Sequence, residues 1–195
     1  MNEIRAFLAL QLPGDIQGQL SQIQQMLRHQ LPPVSWVRPG NIHVTLKFFG
    51  NILPALVDSL YEALGDIGSQ TIPFWLNVQG IGVFPHLRAP RVIWAGLTGP
   101  VHKVIQLHDQ IQILLEPLGF PLEEKPFHPH VTLARIKSDG KNVGKVLNER
   151  GCLDVENVVG EWLVDSMVLY RSELSSSGAR YEALWRVPFK GRPES

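Results

Sequence analysis

One short pattern occurs twice in the chain at a fixed separation, and this constrains the fold more than any other feature. Ile42-His43-Val44-Thr45-Leu46 matches Pro129-His130-Val131-Thr132-Leu133, and the offset is 130 − 43 = 87. Residues 4–14 and 91–100 read as strands ending in a Pro or Gly turn, and Leu10 and Leu97 keep the offset. Ile16, Leu20, Ile23 and Leu27 recur at helical spacing, which predicts a helix over about 15–29. Val101, Val104, Ile105, Ile111 and Leu115 predict its counterpart, stopped near Pro117 and Gly119. Leu56, Val57, Leu60 and Leu64 form another stripe, answered by Val143, Val146 and Leu147. Trp75-Leu76 maps to Trp162-Leu163, each opening a β-rich run. The order strand, helix, His strand, helix, strand is therefore expected twice. A terminal strand over 181–187 should close a hairpin with 162–172 across the Ser-rich turn at 175–178. The expected fold class is α+β, with two similar, pseudo-two-fold related lobes and a cleft between them. One domain should span 1–195, with repeats at about 1–87 and 88–190.

Composition narrows the function. Lys plus Arg and Asp plus Glu are 18 each in 195 residues, so the formal net charge is zero. Coating nucleic acid by bulk phosphate neutralisation needs a basic excess, so any phosphate must meet a local cluster. Cys152 is the only cysteine, which excludes an internal disulfide or a multi-thiolate zinc site. No run approaches the ~18 apolar residues that a membrane span needs. The expectation is a soluble, cytoplasmic protein with no membrane partner, acting as a monomer.

The repeated segments carry the chemistry. Two of the four Thr residues lie two positions after a His, where chance predicts about 0.14 such pairs from 7 × 4/195. In a strand, residues i and i+2 face the same way, so His43 shares a face with Thr45, and His130 with Thr132. Two imidazoles titrating near neutrality can hold opposite protonation states. One removes a proton from an attacking water while the other protonates the departing oxygen of a phosphodiester. The two hydroxyls can donate to the non-bridging oxygens as charge builds there. A metal reading through His43, His128 and His130 competes, but the motif brings no carboxylate or thiolate. No metal and no cofactor is expected.

The paired motifs resemble the 2H phosphoesterase superfamily, and more narrowly the RNA 2′,3′-cyclic phosphodiesterases, historically named 2′-5′ RNA ligases. The resemblance is carried by residues 37–50 and 127–135, with support from 5–10, 83–85 and 169–174. It implies antiparallel sheets flanking a central cleft and hydrolysis of an RNA terminal 2′,3′-cyclic phosphate to a 2′-phosphomonoester, with reversible 2′-5′ joining alongside. By the same resemblance His43 is the proton donor, His130 the proton acceptor, and Thr45 and Thr132 hold the phosphate. Phe48 would stack on a nucleobase and Arg135 would meet the phosphate. The implied partners are RNA 3′ ends bearing a cyclic phosphate, tRNA fragments among them.

Some side chains resist placement from sequence. Strict alternation from His130 turns Arg135 away from the imidazole, so either the strand bulges or the guanidinium reaches round its end. Lys47 shares parity with His43 and Thr45, so it could reach the substrate backbone. His128 reads as a surface residue or as a titrating charge at the mouth, and Arg38, Arg88 and Arg91 are further candidate phosphate contacts. Two other functions fit the same residues: a 2H-type enzyme for a small cyclic nucleotide or ADP-ribose cyclic phosphate, and an RNA-end-binding module of low turnover.

Overall fold

The computed structural model describes residues 2–153, 158–175 and 178–191. Each expected helix forms, and so does each expected strand except the run 162–172, which is divided. Strand β1 (Ile4–Gln11) leads into α1 (Gly14–Arg28), and β2 (Ser35–Trp36) with a 3-10 turn (Pro39–Asn41) precedes β3 (His43–Ile52). Then come α2 (Leu56–Gln70), β4 (Phe74–Phe84), β5 (Val92–Thr98) and α3 (Val101–Leu115). Strand β6 (Val131–Arg135), α4 (Gly140–Glu149), β7 (Val158–Val164), β8 (Ser166–Ser175) and β9 (Gly178–Pro188) complete the order. The helical stripes face inward, with Ile16, Leu20 and Leu27 of α1 and Val104, Ile111 and Leu115 of α3 fully buried. Each such side chain contributes about 1.5–3 kcal/mol through lost contact with water.

The strands form a single antiparallel sheet in the order β7-β4-β5-β6-β3-β1-β8-β9, with β2 added beside β6. Between β3 and β6 one residue pair is made, Val44 with Val131. These two residues are themselves equivalent, since 131 − 44 = 87, so the pseudo-two-fold axis runs between them. The motif strands then part, which opens the cleft. The freed edge of β6 is covered by β2, and Gln24 of α1 donates to the carbonyls of Val37 and Leu133 at 2.8 and 2.9 Å.

The sequence mapping of Trp75 onto Trp162 needs correction. Strands β4 and β7 are neighbours in one lobe, with Leu76 across from Trp162. The structural counterpart of β4 is β8, which flanks β1 as β4 flanks β5. Ile81 lies across from Ala95 and Leu169 from Leu8, and 169 − 81 = 88. The run 162–172 breaks at Asp165, so the terminal hairpin joins β8 and β9 and starts at Ser166. Ser176 and Ser177 of the expected turn lie outside the described residues.

Helices cross between the lobes as well. Helix α1 lies against β7, where Gly160 faces Ile16, while α3 reaches β3. Helix α2 backs β9, and Gly68 permits this because a Cβ there would run into Val187. One apolar cluster consequently runs through both lobes.

Candidate active site

The outward face of each motif strand is set by a bulge in the same place. Strand β3 gains a residue between Thr45 and Lys47, opposite Ala9 and Leu8. Strand β6 gains one between Thr132 and Ala134, opposite Trp94 and Ile93. A bulge reverses the facing of the residues beyond it. Leu46 and Lys47 are both buried in succession, as are Leu133 and Ala134, and the next residues, Phe48 and Arg135, come out on the cleft side. The question of Arg135 is thereby answered by a bulge, and Phe48 is 58% exposed instead of filling the core.

The expectation for Lys47 fails for the same reason. The bulge turns it inward to 4% exposure. Its Nζ donates to Gln112 Oε1 at 2.5 Å and to the Pro121 carbonyl at 2.8 Å, with Glu123 at 3.6 Å. A buried ammonium must be satisfied in this way, and the amine has no freedom left for a substrate.

Both histidines are fixed by one device. His43 Nδ1–H donates to the Asn41 carbonyl and His130 Nδ1–H to the His128 carbonyl, each at 2.7 Å. A carbonyl can only accept, so Nδ1 carries the proton and the neutral ring presents a bare Nε2. At His43 this Nε2 accepts the Thr45 hydroxyl at 3.0 Å. His43 and Thr45 flank Val44, and His130 and Thr132 flank Val131, on either side of the one pair that the two motif strands make.

The surroundings of the two rings differ. His43 stacks on Phe7 at 4.8 Å and takes the edge of Tyr181 at 5.5 Å. Burial pushes its imidazolium down to about 4; the Asn41 bond opposes this, and the charges of Arg135 and His130 add to it. His130 meets Phe84 edge-on at 5.0 Å, and burial also lowers it, with Arg135 and His128 contributing. Burial raises the Tyr181 phenol, which keeps it a neutral donor beside His43.

A cavity of about 740 Å³ is lined by His43, Thr45, Phe48, Thr132 and Arg135, and also by Arg5, Lys137 and Tyr181. His130 lines a smaller one of about 280 Å³ with Phe84, Phe127 and His128, and Thr45 and Phe48 belong to both. Of the further arginines considered from sequence, Arg38, Arg88 and Arg91 line neither. Arg5 and Lys137 were missed, although Arg5 keeps strand parity with Phe7, and Lys137 follows Arg135 by two. His128 contributes its carbonyl, which no side-chain motif reveals, and its exposed ring sits at the mouth. Among the described residues no three His, Cys, Asp or Glu side chains gather as a metal site.

The LigT-like phosphoesterase family model matches the chain twice, over residues 10–94 and 99–181. The chain belongs to this family of 2H phosphoesterases. The double match follows the duplicated lobes. An RNA 2′,3′-cyclic phosphodiesterase of Aeropyrum pernix is 35% identical over 173 residues, 87% of this chain and 94% of that protein. One of Aquifex aeolicus is 32% identical over 183 residues, 93% and 95% of the two chains. In three dimensions the crystal structure of TT0787 of Thermus thermophilus superposes with a TM-score of 0.80 at 27% identity, covering 96% of this chain and 98% of that one. The crystal structure of E. coli LigT complexed with 3′-AMP gives 0.74 at 26% identity, with the same coverage. No helix in the described residues is long and apolar enough to cross a membrane.

Proposed function

We propose that this phosphoesterase hydrolyses the 2′,3′-cyclic phosphate at an RNA 3′ end to a 2′-phosphomonoester, using two histidines and no metal. The reading is carried by one observation: two imidazoles, each with Nδ1 tied to a carbonyl two residues back, line two adjoining cavities that share Thr45 and Phe48. His130 Nε2 takes a proton from water, and the water oxygen bonds to phosphorus. The bond from phosphorus to the 3′ oxygen breaks, and His43 Nε2–H protonates that oxygen. Thr45, Thr132 and Arg135 stabilise the charge that grows on the non-bridging oxygens. Solvent then returns His43 and His130 to their starting states. The relatives named RNA 2′,3′-cyclic phosphodiesterases support the substrate class.

Burial leaves His43 neutral at pH 7 in the free protein. The anionic phosphodiester offsets the charge of Arg135 and favours a protonated imidazole beside it, so the acid is armed as substrate enters. A 5′-hydroxyl in place of water would run the same steps and leave a 2′–5′ linkage. Each lobe supplies one histidine, so residues 1–195 act as a single two-lobed unit. Phe48, exposed at the junction of both cavities, offers its ring to the terminal base.

The test is a short RNA ending in a 2′,3′-cyclic phosphate, incubated with EDTA. The expected product is the 2′-phosphate, absent with His43→Ala or His130→Ala. A 3′-phosphate product would reverse which oxygen leaves, and loss of activity on chelation would overturn the metal-free mechanism.

A further inference from the structure

Apart from the protonated His43, the proposed chemistry uses one cation, Arg135, and one phosphoryl group. The larger cavity holds two more cations, Arg5 and Lys137, and no Asp or Glu lines it among the described residues. Neither cation forms an ion pair or hydrogen bond with a described side chain. In a chain of zero net charge three cations facing one cavity without a carboxylate are a local concentration of positive potential. The smaller cavity is less cationic: Glu123 lines it and pairs with Lys47, which leaves Lys125, and Phe84, Pro126 and Phe127 make its walls apolar.

Placement along the strands gives the positive charge a direction. Arg5 lies two residues before Phe7 on β1, and Phe7 stacks on His43. Lys137 lies two residues beyond Arg135, past the end of β6. Two strand residues span about 7 Å, comparable with the separation of neighbouring phosphates in a single nucleic-acid strand. Each cation therefore stands one such step beyond a residue at the inner part of the cavity, Arg5 beyond Phe7 and Lys137 beyond Arg135, one on each lobe.

We propose that Arg5 and Lys137 form a second anion subsite, for the phosphodiester that precedes the terminal nucleoside, so that the cleft selects oligonucleotide ends over cyclic mononucleotides. This rests on the reading of the site as an RNA-end phosphodiesterase. The subsite adds affinity without touching the reacting atoms, so its loss appears in KM more than in kcat.

The experiment compares a nucleoside 2′,3′-cyclic phosphate with a trinucleotide carrying the same terminus. Arg5→Gln and Lys137→Gln should each lower the trinucleotide-to-mononucleotide ratio of kcat/KM about tenfold, the worth of one charge-assisted hydrogen bond. Lys145→Gln, on the exposed face of α4 outside both cavities, should leave the ratio unchanged. A trinucleotide with a neutral methylphosphonate at the penultimate linkage tests the wild-type protein directly. It should lose a similar factor, and the two variants should lose little more with it. An unchanged ratio in both variants, or a wild type indifferent to the methylphosphonate, overturns the subsite while the phosphodiesterase reading stands. A wild type that turns over neither substrate overturns that reading and the subsite with it.

Discussion

His43 and His130 make the same bond to a carbonyl two residues back, at the same 2.7 Å, yet they sit in unlike surroundings. His43 lies between Phe7 and Tyr181 with its Nε2 held by Thr45. His130 touches the edge of Phe84 and faces the smaller cavity. Duplication therefore copied the tautomer and left the dielectric to the neighbouring strands. A ring enclosed by aromatics suits proton delivery to a leaving oxygen, where water must be excluded. A ring on the open side suits activation of water.

The largest effect should come from removing either ring. His43→Ala and His130→Ala should each lower kcat on a cyclic phosphate by about 10²–10⁴, the usual worth of a positioned acid or base. The two roles separate when the leaving group no longer needs a proton. With a nitrophenyl phosphodiester, His43→Ala should recover most of the wild-type rate and His130→Ala should not. The opposite pattern would exchange the donor and the acceptor.

The pH profile sharpens the comparison further. The proposed mechanism needs one imidazole protonated and the other neutral, and in the free protein both lie below the ordinary value of 6.5, His43 at about 4. The singly protonated form is most abundant between the two, so kcat/KM should peak below pH 6.5 and fall about tenfold per unit above it. The profile of kcat should lie to the alkaline side, because bound phosphate raises both groups. A kcat/KM maximum at pH 7 or above would defeat the desolvation argument. Stability follows the same shift. Between pH 6.5 and about 4 unfolded His43 binds a proton that the folded ring refuses, so stability declines as pH falls through that window. His43→Gln should flatten this decline in thermal melts.

Arg135→Gln joins catalysis to that titration. Arg135 lowers both imidazoles, so removing its charge should raise both pKa values, which NMR titration of the two rings can follow. Loss of the proposed bond to phosphate should cost roughly 10–100-fold in kcat/KM. Unmoved ring pKa values would separate Arg135 from both histidines.

Much of the fold and of the site was legible in the sequence, because a repeat at one offset announces both lobes and both His–Thr strands. The four helices follow from apolar spacing and the repeat, and β1 and β5 from the shared offset and the turns that end them. The register between strands lay beyond its reach. Alternation misplaces Lys47 because one extra residue at the bulge inverts the side chains that follow it. Trp162 misled because a matching dipeptide says nothing about which strand β7 pairs with. Arg5 and Lys137 escaped notice because nothing local distinguishes a cation facing a cavity from one facing solvent. The two carbonyls that fix the imidazoles belong to the backbone, and no side-chain identity encodes them.

Phe48 and Arg135 occupy equivalent positions, 135 − 48 = 87, and the same bulge carries both to the cleft. One lobe presents a flat apolar ring there, the other a charge. Stacking of a base on an aromatic ring is worth about 1–3 kcal/mol, but Phe48 is 58% exposed and shares that surface with water. Phe48→Ala should therefore raise KM about tenfold at most, with little change in melting temperature and no added dependence on salt. Arg135→Gln should instead weaken the salt dependence of KM, since one phosphate contact is gone. Phe48→Leu distinguishes stacking from simple apolar contact: it should restore little if the ring face is what the base meets. Full recovery with leucine would make Phe48 a wall of the cavity, and the two equivalent positions would then differ in charge alone.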